Sequence, residues 1–153
     1  SSMAYAALVI GMARGISVVM TDGKIIDTVV YYLSLPIAMF GPVVGAVFMF
    51  FANIVINFFI PSGSGQAVTV MPIMVPLADL TGITRQVAVQ AFQFGDGFTN
   101  CIIPTASVLM GCLGLSGIPY EKYVKWAAPL IAIQLVLAAI ALVVLQLLHW
   151  GPA

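Results

Sequence analysis

Long apolar blocks make up this chain, and the informative positions are the few polar ones that interrupt them. Residues 3–20 are mostly apolar, carry Arg14 and end at the polar turn Thr21-Asp22-Gly23-Lys24. Over 24–34, Ile25, Ile26, Val29, Val30 and Leu33 recur at i, i+3/i+4 spacing, which predicts an amphipathic helix. Tyr31 and Tyr32 suit the headgroup level, so this stretch reads as an interfacial arm that stops at Pro36. Residues 41–60 are uniformly apolar except for Asn53 and Asn57, which lie four apart and share a helical face. Those amides either bond neighbouring helices together or line a site, with Asn57 one turn before the next break.

That break is Pro61-Ser62-Gly63-Ser64-Gly65-Gln66. The pattern then predicts a helix restarting at Gln66 and running to Leu80, too short to span a bilayer alone and bent or narrowed by Pro72 and Pro76. Together, 41–80 reads as a hairpin region with its tip at 61–66. A polar turn follows, with Thr84 placed to cap the next helix. Residues 85–115 read as one helix broken at 95–105, because Gly95, Gly97 and Pro104 all weaken helix there. After a loop over 117–122, residues 123–148 form a full-length span with Trp126 and Trp150 near opposite ends.

Composition settles the class. Of 153 residues, 62% are hydrophobic and 7% charged, against about 25% charged in soluble domains. No Asp, Glu, Lys, Arg or His occurs from residue 28 to residue 78. The fold class expected is all-α integral membrane, with 1–153 as a single membrane domain. A formal net charge of zero argues against a nucleic-acid partner. Cys101 and Cys112 have neither framework spacing nor a nearby His, so no metal site and no disulfide are expected. The opening Ser1-Ser2-Met3-Ala4-Tyr5 lacks a basic leader and runs straight into apolar sequence, which suggests a fragment of a longer protein rather than a signal peptide. Lys24, Arg85, Lys122 and Lys125 are spread over three loops and set no orientation.

Polar groups at bilayer depth are costly and mark function. Non-helical backbone there must be buried in protein or line a wet cavity. At the first break, freed carbonyls, the Ser62 and Ser64 hydroxyls and the Gln66 amide can ligate an ion or a carboxylate, Gly63 and Gly65 let backbone approach a ligand, and the restarting helix offers N–H groups to an anion. The alternative is an ordinary surface loop. At the second break, Asp96, Thr99, Asn100 and Thr105 surround the unwound stretch, where hard oxygens can hold Na⁺ or Asp96 can take a proton. The alternative is a solvated Asp-Gly turn. Arg14 binds a substrate carboxylate, pairs with Asp22 or Asp27, or snorkels to the interface. No phosphate loop or His/Cys cluster is present, and the one His, His149, is terminal, so no enzyme is expected.

Several strings resemble the C4-dicarboxylate anaerobic carrier family, and within it the YfcC-like branch. They are Asn57-Phe58-Phe59-Ile60-Pro61-Ser62-Gly63-Ser64-Gly65-Gln66-Ala67, Met71-Pro72-Ile73-Met74, Ala91-Phe92-Gln93-Phe94-Gly95-Asp96-Gly97-Phe98-Thr99-Asn100 and Ile103-Pro104-Thr105. The resemblance implies the ion transporter superfamily: two inverted repeats, each with a re-entrant hairpin and a discontinuous helix, in homodimers that move as elevators. This chain would be the C-terminal repeat, partnered either by the N-terminal one or by a second, inverted copy of itself. The implied protein is a secondary transporter in the bacterial inner membrane. It would move a C4-dicarboxylate or an amino acid coupled to Na⁺ or H⁺, by symport or antiport, with no cofactor beyond that ion. Ser62, Gly63, Ser64, Gly65, Gln66, Asn57, Asn100 and Thr105 would meet substrate, and Asp96, Thr99 and Asn100 the ion. The tip departs from the Ser-Asn-Thr triplet of the better-known dicarboxylate carriers. Two other readings stand beside it: a non-transporting membrane assembly subunit, and a passive channel.

Overall fold

The computed structural model describes residues 39–151 continuously, together with positions 18, 19, 22–25, 28, 32 and 35. Most of the expected interfacial arm at 24–34, and Arg14, lie outside the described residues. Every regular element among the described residues is an α-helix: α1 (Pro42–Phe59), α2 (Gly63–Thr81), α3 (Arg85–Thr99), α4 (Ser107–Ser116) and α5 (Tyr120–Leu147).

Helix α1 starts with Pro42 in its first turn, where a missing N–H costs nothing. Gly45, Ala46, Met49, Phe50, Ala52, Asn53, Ile56 and Asn57 form its buried face. Its other side, carrying Val44, Phe48, Phe51, Val55 and Phe58, is equally apolar yet exposed. Helix α5 repeats the pattern: Ala127, Ile131, Ala138, Leu142 and Gln146 are buried, while Ile133, Val136, Leu137 and Ile140 face outward. A helix apolar all round belongs inside a bilayer or a large core. Both α1 and α5 are long and apolar enough to cross a membrane, with mean hydropathy 2.0 and 2.7 over their best windows.

Helix α3 lies at the centre, packed against α1, α2 and α5. The core joins Met49, Phe50 and Ile56 of α1 to Val70 and Met74 of α2, Val87, Ala88 and Ala91 of α3, and Ala138 and Leu142 of α5. Helices α1 and α2 form a hairpin whose tip is residues 60–62. Helix α2 begins at Gly63 rather than at Gln66, since the Gln66 N–H bonds the Ser62 carbonyl at 2.7 Å and closes the first helical turn there. It continues through Pro72 and Pro76; each proline removes one backbone bond without ending the helix. Helix α4 contributes one buried residue, Leu113.

The turn from α2 to α3 is clamped. Gly82 takes φ +76, a left-handed conformation that glycine adopts without a side-chain penalty, and Thr84 caps α3 by accepting the Val87 N–H at 3.3 Å. Gln146, buried near the end of α5, holds both sides of this turn. Its Nε2 donates to the Gly82 carbonyl at 3.0 Å, and its Oε1 accepts the Thr84 N–H at 3.3 Å. The Thr84 hydroxyl donates to the Trp150 carbonyl at 2.7 Å. Arg85 and Asp79 form a bidentate pair across the same turn, both bonds 2.8 Å. The Arg85 hydrogen bond holds the Asp79 carboxyl below the usual carboxylate range. Replacing Gln146 with Leu keeps the bulk but strips bonds from two backbone groups. The expected cost is about 1–3 kcal/mol, seen as a lower unfolding midpoint in detergent with faster amide exchange at Thr84.

Candidate functional site

The hairpin tip and the end of α3 meet at a buried polar cluster. Asn57, on the last turn of α1, aims its amide nitrogen at the α3 terminus: 2.7 Å from Thr99 Oγ1, 3.1 Å from the Asp96 carbonyl and 3.2 Å from Asn100 Oδ1. Thr99 in turn donates its hydroxyl to the Gly95 carbonyl one turn back. Asn100 Nδ2 donates to Asp96 Oδ1 at 3.1 Å. The other Asp96 oxygen faces Gly63: a Cβ added at Gly63 would stand 3.1 Å from Oδ2. The carboxylate therefore sits beside the first residue of α2. The Gly63, Ser64 and Gly65 N–H groups precede the first helical bond and have no partner within the helix. A negative group at a helix N-terminus is favourable.

A second layer lies just below. Gln66 Nε2 donates to the Asn53 backbone carbonyl at 3.1 Å and to its Oδ1 at 3.2 Å, and Asn53 Nδ2 donates to the Met49 carbonyl at 2.8 Å. Asn53, Asn57 and Gln66 have no exposed surface. Two of their oxygens, Asn57 Oδ1 and Gln66 Oε1, are buried without a hydrogen-bond partner. An orphaned buried acceptor costs about 1–3 kcal/mol, so two at one tip need an explanation.

Close approach makes this layer possible. Gly95 packs against α1 so tightly that an added Cβ would stand 2.8 Å from Asn53 Cβ and 3.2 Å from both the Ile54 nitrogen and the Phe50 oxygen. This contact corrects one expectation. The break was expected over 95–105, but α3 runs unbroken through Gly95, Asp96 and Gly97, and the non-helical stretch is 100–106. Packing of Gly95 against α1 offsets the weak helix propensity of this segment.

The remaining expected residues divide. Ser62 is half-buried at the N-cap and makes no capping bond through its side chain. Gly65 packs under the Ser62 hydroxyl. Ser64 is exposed. The Thr105 hydroxyl is buried without a partner and joins none of the bonds above. Two tyrosines missing from the sequence expectation hold the break: Tyr120 Oη donates to the Ile102 carbonyl at 2.5 Å, and Tyr123 Oη to the Cys101 carbonyl at 2.8 Å. Their three-residue spacing at the start of α5 puts both hydroxyls on one helix face, a signal visible in sequence only once the break's carbonyls are known to need donors. The Asn53–Gln66 bond was also missed. Between tip and break opens a cleft of about 380 Å³ lined by Pro61, Asn100, Cys101, Ala106, Ser107 and Tyr123 among others. Ser107, Val108 and Leu109, the first residues of α4, border it, and the helix lacks a side-chain cap.

What the arrangement can do follows from its atoms. The unbonded amide oxygens and the carboxylate suit a hard cation or a proton. The uncapped N-termini of α2 and α4 suit an anion.

Residues 1–147 match the DcuC family, the C4-dicarboxylate anaerobic carrier. The Escherichia coli K12 protein named "Putative basic amino acid antiporter YfcC" is 36% identical over 149 residues, 94% of this chain and 29% of its own length. An uncharacterized protein of Haemophilus influenzae is 37% identical over 147 residues, 94% of this chain and 28% of its own length. The chain thus spans under a third of the curated relatives it matches. No solved structure matches.

Proposed function

Because the chain belongs to the C4-dicarboxylate anaerobic carrier family and is an integral membrane protein, we propose that it forms one repeat of a secondary active transporter for a small carboxylate-bearing metabolite. The observation that carries this reading is the meeting of Asp96, Asn57 and Asn100 at a hairpin tip beside an uncapped helix start, with Gln66 bonded to Asn53 one turn along α1 from Asn57. Polar groups at bilayer depth, two half-buried helix N-termini and a broken helix are the parts from which midplane transporter sites are built.

In this reading Asp96 is the coupling carboxylate. It takes a proton, or it binds Na⁺ together with the unpartnered oxygens of Asn57 and Gln66, with Thr99 and Asn100 bracing it. The substrate carboxylate lies in the cleft at the N-terminal residues of α4, with Ser62 and Ser64 of the tip and Thr105 of the break as further contacts. A second repeat supplies the opposing half of the site, in the bacterial inner membrane, and the hairpin and broken helix move together as an elevator within a homodimer. The name of the Escherichia coli relative favours a basic amino acid over a C4-dicarboxylate, with the amino acid's carboxylate held in the same place.

Ligand-induced stabilisation tests the substrate class. Arginine or succinate at 100 times its dissociation constant stabilises the folded protein by about 2.7 kcal/mol. The unfolding midpoint of the complete two-repeat protein in detergent should rise with the true substrate and not with the other. The rise should be larger in Na⁺ than in K⁺ if Na⁺ couples, and should change with pH if H⁺ couples. No shift with either compound would remove both substrate classes.

A further inference from the structure

The cleft beside the tip carries two features that the transport reading leaves unused. Cys101 follows directly on Asn100 in the break, and Cys112 lies on α4; both line the same cleft, together with Pro61 of the tip and Ser107 at the start of α4. Both are free thiols and exposed. The Cys101 thiol makes a weak S–H contact to the Gly97 carbonyl at 3.8 Å, and Tyr123, which also lines the cleft, pins the Cys101 carbonyl at 2.8 Å. Asn100, the next lining residue, bonds the Asp96 carboxylate directly. A group attached at Cys101 would therefore stand one residue from the ion-coupling cluster. The space, about 380 Å³, falls in the range of small-molecule pockets, roughly 300–1,000 Å³, so a small adduct fills much of it.

We propose that this cleft is the aqueous route to the Asp96 cluster and that Cys101 and Cys112 make it a thiol-modification site. The ligand class is a small disulfide or thiosulfonate, and its attachment closes the route reversibly. The step balances without a further oxidant. The cysteine thiol loses its proton to water, and the thiolate attacks the reagent's sulfenyl sulfur. A new S–S bond forms, and the sulfinate or thiolate leaves with the electron pair. A dithiol reductant reverses it by the same exchange. The proposal rests on the carrier reading for its effect on transport, but not for the access of water to the thiols.

The test uses the complete protein in liposomes, a charged methanethiosulfonate, and the variants Cys101→Ser, Cys112→Ser and both together. Intact mass reads labelling, and uptake of labelled substrate is read before and after dithiothreitol. The expected result is labelling at both thiols and a drop in uptake of at least tenfold that the reductant restores. The double variant should be insensitive, and saturating substrate should slow labelling at Cys101. Absence of labelling in the folded protein overturns the proposal, because the cleft is then closed to water. Labelling with unchanged uptake overturns it as well, because the route then lies elsewhere. If the unmodified protein takes up nothing, the carrier reading fails and the closure effect fails with it, while substrate-independent labelling rates still report whether water enters the cleft.

Discussion

Replacing Asp96 with Asn is expected to cut gradient-driven uptake about 10- to 100-fold while leaving the fold intact. Asp96 is the one buried ionisable side chain among the described residues, 7% exposed. Asparagine has the same shape, and its side-chain oxygen can still accept the Asn100 Nδ2 bond now made at 3.1 Å. The backbone carbonyl that Asn57 bonds is untouched. What disappears is the charge, and with it either a proton-carrying group or a charge-assisted contact to a cation. A hydrogen bond to a charged group is worth about 1.5–3 kcal/mol, and each 1.4 kcal/mol is a factor of ten, which sets the range. The unfolding midpoint separates the two roles. If Asp96 only held α3 to the start of α2, stability would fall along with uptake. If it couples transport, uptake falls alone. Uptake at the wild-type rate in the Asn variant contradicts the assignment of Asp96.

The largest loss of stability is expected at Gly95. An alanine there places its Cβ 2.8 Å from Asn53 Cβ and 3.2 Å from two backbone atoms of α1. Backbone cannot swing aside as a flexible side chain can, so the helices must separate. Alanine gains about 1 kcal/mol of helix propensity over glycine, but overpacking of this kind costs about 1–3 kcal/mol and sometimes more, and valine at the same position adds further bulk. The consequence reaches the site, because Asn53 is the residue displaced and Gln66 bonds it from α2. Gly95→Val should lower the unfolding midpoint by several degrees, at about 2–4 °C per kcal/mol, and weaken substrate binding. Gly97→Ala is the matched control. Its added Cβ meets only the Gln93 Nε2 at 3.8 Å, so the propensity gain stands and the variant should be neutral or slightly more stable. Equal effects at the two positions would show that helix propensity, and not the α1–α3 contact, governs this segment.

The helical architecture and the polar tip can be read from composition and spacing. A chain with 7% charged residues leaves few places for a polar cluster, and Asn57, Asp96 and Asn100 stand out against apolar neighbours. The Asn53–Asn57 spacing marks one face, and that face does enter the cluster. Local rules fail where tertiary contact overrides them. Gly95 and Gly97 read as helix breakers, yet α3 persists through both because Gly95 is the contact surface for α1; glycine lets two helix backbones come close, and nothing local distinguishes that use from a turn. The three residues that α2 gains before Gln66 likewise depend on a single backbone bond to Ser62. Tyr120 and Tyr123 read as loop and span entry, because their partners, the carbonyls of residues 101 and 102, lie about twenty positions earlier.

The oxygens of Asn57 and Gln66 are buried acceptors free of internal donors, which is what the proposed cation site requires. Whether that site drives movement is answered by uptake into liposomes holding the complete purified protein. Labelled arginine and labelled succinate would be offered under an imposed Na⁺ gradient, an imposed proton gradient, and neither. The account predicts saturable accumulation of one of them that requires one gradient and collapses when that gradient is dissipated. Linear, gradient-independent entry would contradict coupled transport and point to a channel. No entry of either compound, from protein shown to be folded, would contradict a carrier of these substrates and favour a membrane assembly subunit.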